Sequence, residues 1–275
     1  EDGDHSFFIY DNTNLLSWNT SLNTLVSLEL KVPAKDKNIS FVFKDSEGLL
    51  WINYWDFGLR CYNTKTQKYK DYKNDPKDST TIGSKNINQI IEDKNGILWI
   101  GTRDKGLNSF SKKTNKFEHY SYIENSGTLQ PKDSLDDKMI HCMVLDEDGI
   151  LWIGTNVGGL NRFDTKTKKF KSYHNFKEGI HGVLDLVKDS NNQLWLATYL
   201  DGLFLFDKET ETFINYSEEE GLLFNSITKI AKDNAGNIWA TSERGLSKFN
   251  TKTKLFANYT RANGLPTNKL YQITK

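Results

Sequence analysis

Trp, Tyr, Arg and carboxylate side chains that stand outside any regular spacing are the residues here most suited to chemistry. They are Trp55 with Asp56, Arg103 with Asp104, Asn156, Tyr199 with Asp201, and Glu243 with Arg244. Aromatic rings beside carboxylates and guanidinium groups suit the apolar face and the hydroxyls of a sugar. Trp55 is the sharpest of these candidates, and His141, Asp185 and Tyr271 are weaker ones. Catalysis finds less support. The sequence has no G-x-S-x-G, no H-E-x-x-H, no Walker loop and no dinucleotide fingerprint. His5, His119, His141, His174 and His181 show no metal-ligand spacing. Asp146-Glu147-Asp148-Gly149 has the look of a calcium turn, but a calcium loop needs further oxygen ligands and a later bidentate glutamate. No catalytic residue, metal or cofactor is therefore assigned. Carboxylate pairs cannot be picked by spacing from 36 acidic residues.

The elements that must position these candidates come from a repeat. Trp51, Trp99, Trp152, Trp195 and Trp239 stand in near-identical settings, each six residues after an aspartate: Asp45, Asp93, Asp146, Asp189 and Asp233. Ile39, Ile87, Ile140, Val183 and Ile227 lie twelve before the tryptophans. Leu59, Leu107, Leu160 and Leu203 follow the first four at plus eight, and Tyr62, Phe110, Phe163 and Phe206 at plus eleven. Aromatic pairs close each copy: Tyr69 and Tyr72, Phe117 and Tyr120, Phe170 and Tyr173, Phe213 and Tyr216, and, in a fifth copy one residue shorter, Phe256 and Tyr259.

Each copy parses into four short strands, A to D. In the second, Asp93 to Gly96 makes a tight turn after strand A, strand B is Ile97 to Thr102, strand C Leu107 to Ser111, and strand D Lys116 to Tyr120. Apolar residues alternate with period two, which excludes a helical repeat. Four strands in about 43–53 residues make the blade of a propeller. Pro33, Pro76, Pro131 and Pro266 all fall between a strand D and the next strand A, where no ladder needs their missing donor.

The reading is all-β: one β-propeller domain over 1–275, of four-stranded antiparallel blades at about 39–72, 87–120, 140–173, 183–216 and 227–259. A sixth blade is expected from strands B to D of residues 5–30, with Phe7, Leu15, Trp18, Leu25 and Leu28 at the repeat positions, completed by a strand A at 270–275. The rival reading is that both ends are cuts through a longer array, with seven blades.

Bulk properties narrow the class. Aromatics at 13% supply a packed core, and 36 basic against 36 acidic residues give no field for nucleic acid or an anionic membrane. No stretch approaches the ~18 apolar residues of a membrane helix. No charged-then-apolar leader opens the chain, so any secretion signal is expected to lie outside it. Cys61 and Cys142 occupy different repeat positions and read as small buried apolar groups.

The segments INQIIEDKNGILWIGT and IHCMVLDEDGILWIGT, each followed by Gly-Leu and then F…T…F…Y, resemble the two-component regulator propeller repeat, as does the connector GLPTNKL at 264–270. That resemblance implies the periplasmic sensor region of a hybrid two-component histidine kinase, with the kinase outside this chain and an oligosaccharide as ligand. Neighbouring sensor domains and a second copy of the chain are the candidate partners, and nucleic acid is not. Two alternatives stay open: a protein-interaction scaffold with no small-molecule site, and a secreted enzyme acting on polysaccharide.

Repeated Trp, Leu, Phe and Tyr positions read as blade packing rather than a sugar-stacking array. Lysines on strand D and its preceding turn, such as Lys65, Lys68, Lys70, Lys112, Lys113, Lys116, Lys168 and Lys171, read as charged outer edges that block sheet-to-sheet pairing. The irregular candidates fall in the B–C loops. These loops are expected to meet the D–A connectors on one face around a central channel.

Overall fold

Five aspartates organise the first hairpin of five sheets, and the reason is local. In each turn the Asp Oδ1 accepts backbone N–H groups two and four residues on, as Asp189 does from Asn191 (2.8 Å) and Gln193 (3.0 Å). Its Oδ2 accepts the indole N–H six residues on. These bonds are Asp45–Trp51 (2.9 Å), Asp93–Trp99 (3.1 Å), Asp146–Trp152 (3.1 Å), Asp189–Trp195 (3.2 Å) and Asp233–Trp239 (2.9 Å). The D-x-x-G carboxylates are thus used within the hairpin. Glycine takes the left-handed position in four of these turns; in the fourth copy Asn192 takes it instead, at φ 62°.

The computed structural model describes residues 6–10, 14–19, 21–28, 30, 38–120, 134–173, 182–271 and 273. It falls into two compact units, 1–120 and 121–275. In the first unit, β1 (Ser6–Tyr10), β2 (Leu15–Asn19) and β3 (Thr24–Leu28) form a three-stranded sheet. Two four-stranded sheets follow: β4 (Ile39–Lys44), β5 (Leu50–Tyr54), β6 (Gly58–Asn63), β7 (Lys68–Tyr72); and β8 (Ile87–Glu92), β9 (Ile97–Thr102), β10 (Leu107–Ser111), β11 (Lys116–Tyr120). The second unit holds three. They are β12 (Ile140–Leu145), β13 (Ile150–Thr155), β14 (Leu160–Asp164), β15 (Lys169–Tyr173); β16 (Val183–Lys188), β17 (Leu194–Thr198), β18 (Leu203–Asp207), β19 (Thr212–Tyr216); and β20 (Ile227–Lys232), β21 (Ile238–Ser242), β22 (Gly245–Asn250), β23 (Leu255–Tyr259). Every pairing is antiparallel between chain neighbours, the meander of a propeller blade.

The repeated aromatics form the packing between blades. The closing Tyr of each copy lies against its own Trp, with centroids 5.6 Å apart for Trp51–Tyr72 and 5.8 Å for Trp195–Tyr216. The plus-eleven aromatic of the next blade meets that Trp edge-on or tilted: Phe110 on Trp51 (5.3 Å), Phe206 on Trp152 (5.5 Å) and Phe249 on Trp195 (5.4 Å). Trp51, Trp99, Trp195, Phe110, Phe206 and Phe249 are each at most 1% exposed. Burying one such side chain contributes about 1.5–3 kcal/mol.

Three lysines depart from the outer-edge expectation. Lys70 Nζ and Tyr72 OH both donate to Asn115 Oδ1 in the next blade's turn (2.6 and 3.0 Å), and Lys171 and Tyr173 reach Glu211 in the same way. Lys112 lies 2.7 Å from Glu92, 2.8 Å from Glu47 and 3.3 Å from buried Asp45. These ammonium groups fasten one blade to the next. Lys65, Lys68, Lys113 and Lys116 are exposed.

Among the expected positions of the first sheet, Leu15 is fully buried, whereas Trp18 and Leu25 are 38% and 58% exposed. The Phe7 side chain and His5 lie outside the described residues, as do His174, His181, Pro33 and Pro131. At 270–275, Leu270 donates its N–H to Ser242 O (3.0 Å), and 272, 274 and 275 lie outside the described residues. Cys61 and Cys142 are free thiols; burial pushes both upward, Cys61 to about 11.

Candidate functional site

One backbone bond recurs at the end of four strands B. The first loop residue donates its N–H to the residue just before, or at the start of, its own strand A region: Trp55 to Asn38 (2.9 Å), Arg103 to Asn86 (3.0 Å), Asn156 to Met139 (3.1 Å) and Tyr199 to Gly182 (3.1 Å). The B–C loop and the D–A connector of a blade therefore meet at one end of the sheet.

A β-bulge sits beside this bond. Register shifts separate Ile39 from Phe41, Ile87 from Gln89, Ile140 from Cys142, Val183 from Asp185 and Ile227 from Lys229. The bulged residues are Ser40, Asn88, His141, Leu184 and Thr228. A bulge re-aims a side chain, and in two blades it brings the bulged residue to the loop residue fifteen positions later, whereas Ser40 and Thr228 bond to Asn53 and Thr241 within strand B. Asn88 Oδ1 accepts from Arg103 Nε (3.0 Å), and His141 Nε2 lies 3.1 Å from Asn156 Oδ1. His141 was among the weaker sequence candidates. Asn88 carries no signal in the repeat pattern itself, although its place as second residue of strand A, shared with His141, is a usable one.

In the first unit, the loop after β5 is tight. A Cβ on Gly58 would sit 2.6 Å from Tyr72 O at a backbone φ of 122°, so glycine is required there. Trp55 is 38% exposed and Asp56 adopts φ 59° beside it. The Arg103 guanidinium of the next blade lies over the Trp55 ring, 4.8 Å from its centroid. Trp55 and Arg103 are thus brought together. Asp104 is committed elsewhere: it accepts the Ser84 hydroxyl from the D–A connector.

In the second unit, a Cβ on Gly182 would lie 2.6 Å from Asn156 O and 3.8 Å from Tyr199 Cβ, which places Asn156 and Tyr199 on neighbouring loops around that glycine. Val157, Tyr199 and Leu200 are 60%, 56% and 58% exposed. Asp201 is half-buried, and its N–H donates to Thr198 Oγ1 (3.2 Å). Glu243 is exposed. Arg244 folds back on its own blade, with its guanidinium 4.1 Å from the Phe224 ring centroid and 3.9 Å from Glu218. Asp185 bridges two strands, accepting from Ile230 N (3.0 Å) and Lys229 Nζ (3.3 Å), and burial raises its carboxyl. Tyr271 is 56% exposed.

Known proteins can be set beside this geometry. Residues 81–104 and 134–157, each running from a D–A connector through the Asp–Trp hairpin into the B–C loop, match the model of the two component regulator propeller family. Two segments of the chain thus match that family's repeat. The extracellular domain of the hybrid two component system BT3049 from B. thetaiotaomicron is similar over 98% of this chain and 34% of its own, at 24% identity and a TM-score of 0.75. That of the one component system BT4673 from the same organism gives 97%, 35%, 18% and 0.67. Virginiamycin B lyase from Staphylococcus aureus has a TM-score of 0.70 at 13% identity, over 94% of this chain and 81% of its own. These likenesses show the fold, and the chain spans about a third of the two extracellular domains. No curated protein matches the sequence. Within these two matched segments, the Asp and Trp are spent on the hairpin, and the first loop residue differs, Arg103 in one and Asn156 in the other.

Proposed function

We propose that this chain is the ligand-sensing propeller of a two-component system's extracytoplasmic, periplasmic region, that it is non-catalytic, and that an oligosaccharide is its ligand. The observation that carries the reading is the division of labour among aromatics. Five repeated tryptophans are tied to turn aspartates, while Trp55 and Tyr199 stand exposed on B–C loops. A rigid scaffold with exposed rings on its loops suits recognition of a sugar. The signalling kinase lies outside the chain in this proposal, and neighbouring sensor domains or a second copy are its partners.

Thermal unfolding with a panel of neutral and acidic oligosaccharides tests it. A ligand at a hundred times its Kd stabilises by about 2.7 kcal/mol, so Tm should climb with ligand excess. A flat panel would remove the sensing proposal. The scaffold alternative draws on the first sheet, where Trp18, Leu25 and Val26 are 38%, 58% and 54% exposed. It predicts self-association in sedimentation at rising concentration with no response to sugars.

A further inference from the structure

We propose that Trp55, Arg103 and Asn88 form a subsite for an oxyanion group, a carboxylate or sulfate ester, carried on a sugar ring. The inference rests on the reading of the B–C loops as the ligand face and names the chemistry of one part of it.

The two stacked arginines of the first unit make the case by contrast. Arg60 lies 3.8 Å from the Tyr69 ring centroid, is 2% exposed, and is closed by Asp71 through two bonds of 2.6 and 2.9 Å. Its fork is used up inside the fold. Arg103 has the same aromatic support from Trp55, but it is exposed, and its Nε is held by the neutral amide of Asn88. Among the described residues it forms no ion pair. The nearest acids are otherwise disposed: Asp104 accepts from Ser84, and Asp56 makes no ion pair with Arg103. Lys85 and Lys105, on the flanking connector and loop, are exposed and add positive charge.

A guanidinium fixed through Nε and stacked on an indole loses little freedom on binding, and its two Nη groups keep the planar spacing that matches two oxygens of a carboxylate or sulfate. The exposed part of Trp55 gives the C–H face of the attached ring a surface beside it. Asn88 acts as a positioning residue: the bulge in β8 is what points it at Arg103.

The test is an NMR titration of the 15N-labelled chain, following the Trp55 indole and Arg103 Nε–H signals, with glucuronate, glucose 6-sulfate and glucose as probes. Either acidic sugar should shift both signals to saturation, and glucose at equal concentration should not. A response to glucuronate alone identifies a carboxylate site, and one to the sulfate alone identifies a sulfate site. Arg103→Lys keeps the charge but loses the fork, and should weaken binding about tenfold. Asn88→Ala should weaken it by roughly threefold while the Trp55 signal still responds. Equal shifts from glucose would overturn the proposal, as would unchanged titrations in both variants or no response to either acidic sugar. Neutral oligosaccharides that move B–C loop signals, with the acidic probes silent, would leave the sensing reading intact and remove only this one. Silence of every loop signal to acidic and neutral sugars alike would remove both.

Discussion

Replacing Trp195 and Asp189 singly and together measures the hairpin staple that the fold depends on. In this copy no lysine contact to Asp189 complicates the cycle, unlike Asp45 and Asp146, which meet Lys112 and Lys208. Trp195 is 1% exposed, and its Nε1–H donates to Asp189 Oδ2 at 3.2 Å. Trp195→Phe keeps a ring near Tyr216 and Phe249 but removes the donor and part of the bicycle. A hydrogen bond to a charged group contributes about 1.5–3 kcal/mol. The 3.2 Å length and partial exposure of the carboxylate favour the lower end, and the smaller ring adds about 1 kcal/mol of lost packing. The expected cost is therefore about 2.5 kcal/mol. Asp189→Asn keeps an oxygen for the turn amides of Asn191 and Gln193 but sets an NH2 against the indole donor, at about 1.5 kcal/mol. With the indole already gone, the second change has less to lose, so the double variant should fall short of the sum by about 1–1.5 kcal/mol. Urea unfolding followed by Trp fluorescence and circular dichroism gives these values, provided the slope with denaturant is unchanged. Additivity within about 0.5 kcal/mol would show that the indole and carboxylate are not coupled and would refute the staple.

Gly158→Ala would drive a Cβ into the carboxylate of Asp136, which is 7% exposed, and should lower stability by about 1–3 kcal/mol, visible as a lower Tm. Lys112→Ala strips the cation from Glu92, Glu47 and buried Asp45 and should destabilise by about 2–3 kcal/mol in urea, while Lys113→Ala on the exposed side stays within about 0.5 kcal/mol. Asp233 is held down to about 2, chiefly by the Asn237 side-chain bond, with Trp239 and turn amides adding to it against a smaller effect of burial. A depressed carboxyl contributes stability above its unfolded value of about 4, and that stability is lost as pH falls toward 2. Asp233→Asn should therefore lie below the parent in Tm at pH 6, with the gap closing between pH 4 and pH 2; a constant gap would contradict the assignment.

The sequence by itself determined the blade. The Asp-to-Trp spacing of six, the glycine or Asn192 in the turn and the alternation of apolar residues all act within one hairpin, so their physics is complete in a short window. The strand B, C and D limits read around Trp99 coincide with β9, β10 and β11 for that reason. The irregular residues of the B–C loops could be located in the same way, but not sorted. Only the tertiary structure separated Arg103, stacked on Trp55 and held by Asn88 with no ion pair, from Asp104 and Arg244, which bind their own connectors. It also turned Lys70, Lys112 and Lys171 from edge charges into ties between blades. The ties Lys70–Asn115, Arg103–Trp55 and Lys171–Glu211 join residues that lie some 40 to 50 positions apart in the chain, and Lys112–Glu47 joins residues further apart still. Their existence depends on how far one twisted sheet is rotated past the next and on a bulge at Asn88, and no local pattern records either.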